Sequence, residues 1–172
     1  MTRAVPVAQD AALFGWLQTL YPIWAAMRPD DFFTSAQVGM AELLLSGCTT
    51  TSDHLYLYPN GTRLEDTIHA AEAIGMRFHP TRGAMSIGES DGGLPPDHLV
   101  ESEAAILDDM IRVINKFHDP IVGSMLRVSV APCSPFSVSR ELMRDAAVLA
   151  RDKGVMMHTH LAENDEDIAY SL

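Results

Sequence analysis

The chain has 172 residues, of which 47% are hydrophobic and 20% charged, and a formal net charge of −11 at pH 7. That length holds one domain with a real core, and the apolar content excludes a disordered chain. The acidic balance disfavours nucleic-acid backbones and anionic membranes, and is compatible with a neutral or weakly charged small molecule.

Two cysteines, Cys48 and Cys133, make no CxxC pair and no disulfide framework, which suits a reducing cytoplasm. The first residues lack the n-region and apolar run of a signal peptide. Residues 11–27 are apolar, but Gln18 and Pro22 interrupt them, and the stretch is too short to span a membrane.

In chain order, residues 2–10 read as a loop ending at Asp10, a plausible helix N-cap. Residues 11–20 read as a short helix or lid carrying Trp16, an aromatic that packs or stacks on a flat ring. Pro29-Asp30-Asp31 opens a stronger helix to about Ser46, with Gly47 as its stop. The β-branched run Cys48-Thr49-Thr50-Thr51-Ser52-Asp53-His54 suggests a strand with a polar far end. A helix over 64–74 closes at Gly75, and residues 76–82 form the next strand.

Residues 83–97 carry six glycines and prolines, a loop length typical of a lid or a disordered segment. A helix over 97–117, a strand over 125–131 and a turn at Pro132-Cys133-Ser134-Pro135 follow. Ser139 caps a helix to Lys153, which Gly154 closes, and residues 164–172 begin one more helix. Strict alternation of strand and helix argues an α/β class with a parallel sheet and right-handed crossovers.

The stretch Val155-Met156-Met157-His158-Thr159-His160-Leu161-Ala162-Glu163 is the most informative. An apolar run reads as a buried strand, and alternation places His158 and His160 on one face. A neutral imidazole at a strand end is a good metal ligand, and a carboxylate just beyond it can move protons without binding the ion. Alone, the stretch is equally well read as core histidines followed by a solvated acid. Polar residues also mark the other strand ends: His54, Arg82 and Cys133, beside His160 and Glu163. In parallel α/β folds that edge is where ligands bind. Each has a plainer account: a loop histidine, an arginine paired with Glu89 or Asp91, a thiol filling a gap. There is no GxGxxG loop, no GxSxG elbow and no PCxxC deaminase motif.

The segments Gly47-Cys48-Thr49-Thr50-Thr51-Ser52-Asp53, Thr81-Arg82-Gly83, Ala131-Pro132-Cys133-Ser134-Pro135 and His158-Thr159-His160-Leu161-Ala162-Glu163 resemble the amidohydrolase superfamily, in its cytosine-deaminase-like branch. They are most like the group of 8-oxoguanine deaminases, also labelled hydroxydechloroatrazine ethylaminohydrolases, and the loop from Ser86 to Pro96 resembles that group too. The resemblance implies an incomplete (β/α)₈ TIM barrel, with strands two to five and their helices filling residues 1–172 as a central fragment. It implies one divalent metal, zinc by default with iron or manganese as alternatives, ligated here by His160. Glu163 would be the catalytic proton shuttle, and His54, Arg82, Cys133 and Trp16 would line the substrate pocket.

Relatives acting on adenosine-type substrates carry a His where Cys133 stands, which points to a smaller purine-like base or triazine. The implied reaction is hydrolytic deamination by a cytoplasmic enzyme compatible with homo-oligomers. The family's HxH pair, a further ligand His and a catalytic Asp have no match here, so the 172 residues alone are expected to be inactive. The alternatives are a chlorohydrolase or another aminohydrolase of the same branch, or a non-catalytic half-barrel that binds a partner through open sheet edges.

Overall fold

A computed structural model describes residues 7–172. The loop expected over 2–10 lies partly outside them.

Helix α1 spans Leu13–Ala25 and continues through Pro22, longer than expected. Leu17, Leu20, Tyr21 and Trp24 recur at i, i+3, i+4 and i+7 and are all buried. That stripe holds the helix where Pro22 removes one backbone donor on the exposed side. Ala12, not Asp10, occupies the N-cap.

Helix α2 spans Pro29–Leu45, with proline at its first position and the Asp31 carboxylate accepting the Arg28 N–H at 2.8 Å. Helix α3 spans Leu64–Ile74 and ends at Gly75 in the left-handed region, as the sequence indicates. Helix α4 spans Glu103–Phe117; it begins after residue 97 because Asp97–Leu99 forms a separate 3₁₀ turn and Ser102 takes the N-cap. Helix α5 spans Arg140–Lys153, capped by Ser139 and closed by Gly154 as expected. Helix α6 spans Asp165–Ser171. No helix of the described residues is long and apolar enough to cross a membrane.

The strands are β1 (Thr50–Ser52), β2 (Arg77–His79), β3 (Thr81–Ala84) and β4 (Ser129–Pro132). β1 pairs with β2 and β3 with β4, both parallel. The α/β class and the parallel pairing follow the sequence, but the backbone does not form one continuous four-stranded arc. Pro80 splits the strand expected over 76–82. Beyond it the Asp53 side chain, rather than a backbone carbonyl, accepts the Thr81 N–H at 3.2 Å. Single bridges, Leu55 to Arg82 and Phe78 to Leu126, join the two sheets. The last expected strand shrinks to one bridge, Val130 to Met157, and Met156 is 69% exposed rather than buried. β4 covers one side of this segment only.

Two apolar clusters organise the chain. In the larger, Phe78, Val128 and Val130 of the strand region pack against Ile68 of α3, Met110 of α4 and Leu142 of α5. In the smaller, Leu17, Leu20 and Trp24 of α1 pack on Leu57, Met85 and Phe136, which lays α1 across the strand ends. The segment over 83–97 is ordered: Ser137 O accepts the N–H groups of Ser86 and Ile87, and Pro95 O accepts that of Glu89.

Gly83 sits where β3 approaches the chain after β1, donating its N–H to Leu55 O at 2.7 Å. A Cβ there would meet Leu55 O, Leu55 C and Tyr56 Cα, all backbone atoms that cannot swing aside. Gly83→Ala is expected to cost about 2 kcal/mol or more, read as a lowered urea midpoint; an unchanged midpoint would show that the two segments separate freely.

Candidate active site

The site lies at the C-terminal ends of β1 and β4 and on the segment after α5. Cys133 follows β4 directly and is buried. Its carbonyl oxygen accepts the backbone N–H of His160 at 2.9 Å, the Thr159 hydroxyl at 3.1 Å and the His160 ring at Nδ1, 2.9 Å. A carbonyl only accepts, so Nδ1 carries the proton and Nε2 keeps its lone pair. That is the orientation in which a histidine is presented to a metal by a supporting carbonyl.

His54, two residues beyond β1, packs against this ring, with centroids 4.4 Å apart, and against His158 at 4.8 Å. Both histidines of the His-x-His pair therefore face His54. Burial first, then the neighbouring His160 and His158, pull the His54 ring down to about 3, so it stands neutral at physiological pH. Its Nε2 is buried without a hydrogen-bond partner. Burial likewise pushes the Cys133 thiol up to about 12, against the bonding of Ser137 and Ser134.

The donor set fits a borderline-soft divalent ion. One ligand atom each from His54, Cys133 and His160 lies within 4.8 Å of the others, two of them imidazole nitrogens and one sulfur. The orphaned Nε2 of His54 is what such an ion would satisfy.

Beside the cluster is a cavity of about 180 Å³, walled by Trp16, Tyr56, Cys133, Phe136, His160 and Glu163. Trp16 meets Trp24 edge-on at 5.5 Å, which sets its ring against the cavity. Tyr56 stands 5.6 Å from His54 and 6.5 Å from His160 by ring centroids. Tyr56 was not singled out in the sequence. Its alternation with His54 across Leu55 was the available signal. Ala162 adopts φ 53°, turning the chain so that Glu163 follows His160 at the rim.

The structure thus brings Trp16, Cys133, His160 and Glu163 to one cavity, with His54 behind His160. Arg82 is not among them. Only 1% exposed, its guanidinium donates to Asp109 at 2.6 Å and to Glu101 at 2.9 and 3.0 Å, and lies 3.9 Å over the Tyr58 ring. Lining the pocket is therefore corrected to an internal role. A buried guanidinium needs acceptors on every side, and Glu101 and Asp109 supply them in place of Glu89 or Asp91. The network continues through Asp109 to Arg112 and on to Glu65 and Lys116.

A model of the amidohydrolase family matches residues 8–172, so the chain belongs to that family. It is 46% identical to the 8-oxoguanine deaminase of Pseudomonas aeruginosa over 97% of this chain and 38% of that protein. It is 40% identical to the hydroxydechloroatrazine ethylaminohydrolase of Pseudomonas sp. strain ADP, over 89% of this chain and 32% of that one. Its backbone superposes on the zinc complex of atrazine chlorohydrolase from Arthrobacter aurescens TC1 with TM-score 0.91 and 29% identity, covering 98% of this chain and 39% of the other. The chain therefore spans less than two fifths of the length of each of these proteins.

Arg82→Gln strands two carboxylates beside a buried cavity and is expected to cost about 3 kcal/mol of stability, seen as a lowered denaturation midpoint. An unchanged midpoint would show that the network around Arg82 adds no net stability. Burial opposes ionisation of Glu65, but the hydrogen bonds of Arg112 and Lys116 outweigh it and hold the carboxyl at about 2, below its usual 4.5. A depressed folded value means that this stabilisation is full above pH 4.5 and is lost as pH falls toward 2. Glu65→Gln should flatten the acid limb of the stability curve over that window; an identical limb in both proteins would contradict the pairing.

Proposed function

We propose that the chain is the part of a (β/α)₈ amidohydrolase barrel that contains strands two to five, and that it serves hydrolytic deamination of a purine-like or triazine ring, as in 8-oxoguanine deaminase. The observation that carries this reading is the placement of His160 and Glu163 on one wall of a small cavity with Trp16 among its other walls.

A cavity of about 180 Å³ is below the range of about 300–1,000 Å³ usual for drug-sized ligands, which favours a free base over a nucleoside. Trp16 and Tyr56 offer ring faces and edges to a flat heterocycle. His160 would hold the divalent ion, with zinc as the first choice. When bound, the ion supplies the Lewis acidity that makes water nucleophilic near neutral pH. Glu163 would take a proton from the attacking water and pass it to the ring nitrogen beside the attacked carbon. A carbon–oxygen bond forms, the remaining proton of the new hydroxyl passes to the exocyclic amino group, and the carbon–nitrogen bond breaks to release ammonia. Cys133 and His54 flank His160.

His54 and Cys133 stand beside His160 as further donors, but the family's HxH pair, further ligand histidine and catalytic aspartate have no match among these residues. In this reading the 172 residues act within a longer chain and release no ammonia alone; turnover by the isolated chain would overturn it. Within the longer protein supplied with zinc, Glu163→Gln should lower ammonia release from 8-oxoguanine by about 10²–10⁴-fold with the fold intact. Full activity in that variant would remove Glu163 from the chemistry. Chloride release from a chlorotriazine in place of ammonia would favour the chlorohydrolase alternative.

A further inference from the structure

Asp167 is an acid that neither the cavity nor the ion accounts for. It lies in the first turn of α6 and is fully buried, 0% exposed, although its neighbours Asp165, Glu166 and Ile168 are exposed. Its Oδ2 accepts the backbone N–H of Glu163 at 2.9 Å. Its own N–H is donated to Asn164 Oδ1 at 2.8 Å, and its carbonyl accepts the Ser171 hydroxyl at 2.8 Å. The other carboxylate oxygen, Oδ1, is buried without a partner.

Helix capping alone does not require this arrangement. Asn164 already caps α6 by taking the Asp167 N–H. In the usual reciprocal box the acid of the first turn returns to the N–H of the cap residue itself, as Asp31 does to Arg28 and Asp66 to Arg63. Asp167 reaches one residue further back, to Glu163. The bond therefore closes the turn that Ala162 opens with its left-handed backbone, and does so at the residue bearing the carboxylate at the cavity rim. Burying a carboxylate with one oxygen unsatisfied is costly, and the hydrogen bond that offsets this cost is made to Glu163.

We infer that Asp167 is a positioning residue: through the Glu163 N–H it fixes the backbone from which the Glu163 side chain reaches the cavity beside His160. This rests on the reading of Glu163 as the proton carrier, but its test does not depend on turnover.

The test is NMR on the 172-residue chain as it stands, comparing the parent with Asp167→Ala, Asp167→Asn and Asn164→Ala. The readouts are exchange protection of the Glu163 amide, NOEs from the Glu163 side chain to the rings of Trp16, Tyr56 and His160, and the backbone shifts of α6. In Asp167→Ala the Glu163 amide should lose about tenfold or more of its protection, the cost of a hydrogen bond to a charged group, and the side-chain NOEs should disappear. Asp167→Asn keeps an acceptor and should retain both. Asn164→Ala should weaken the helical shifts of α6 while leaving the Glu163 amide protected. If Asp167→Ala leaves the Glu163 contacts in place, or if Asn164→Ala abolishes them to the same extent, Asp167 only caps α6 and the inference fails. Should Asp167→Ala melt α6, the remaining pair decides: loss of the contacts in Asp167→Asn with its helix intact overturns the inference, and their retention in both variants supports it. Absence of ammonia release from the longer protein would refute the deaminase reading and leave these outcomes unchanged.

Discussion

Three donors converge on the carbonyl oxygen of Cys133: the His160 backbone N–H, the His160 ring and the Thr159 hydroxyl. This junction ties the end of β4 to the segment after α5, which otherwise holds to the sheet through a single bridge. It also fixes the tautomer of His160 and so decides which nitrogen is free to bind. Remove it, and His160 and the carboxylate three residues later lose their common frame. The chemistry of the site depends on a backbone acceptor that the side chains alone do not reveal.

The second constraint is electrostatic. β3 is buried along its whole length, yet it carries an arginine. Arg82 is tolerated because Glu101, Asp109, the Gly83 carbonyl and the Tyr58 face surround it. The network pins α4 to β3 and, through Arg112 and Glu65, to α3. The charge is spent inside the scaffold and not on a ligand. On the other side of the sheet ends, burial and then the neighbouring histidines pull His54 and His158 below the usual imidazole range, which favours the neutral form that can ligate a cation. The two kinds of polar group are separated by the direction in which each side chain leaves its strand.

The third element is α1. Its buried stripe continues past Pro22 and joins the second apolar cluster, so the helix roofs the strand ends. Trp16 is thereby held against the cavity by Trp24, and Tyr56 by the histidines. Helix α1 and the segment bearing His160 and Glu163 bound the cavity of about 180 Å³.

The alternation of strand and helix, the caps at Ser139 and Gly154, the stop at Gly75 and the pairing of His160 with Glu163 were all legible in the residues. They depend on local rules: turn chemistry, helix signals and the two-residue repeat of a strand. The segments beginning at Gly47, Thr81, Ala131 and His158 were enough to point to the amidohydrolases. What the residues could not show was the destination of side chains whose partners are distant in sequence. Arg82 looked like a pocket residue at a strand end, and only the approach of α4, twenty-seven residues later, turned it inward. Tyr56 gained its place only when α1 folded over it, and Asp167 became distinctive only once its Oδ2 was seen to reach Glu163 instead of the helix cap. The split at Pro80 and the exposure of Met156 likewise depend on which neighbours a strand has on either side. Local pattern determined the elements and the His160–Glu163 motif; long-range packing and the demand that buried polar groups find partners decided which residues share the site.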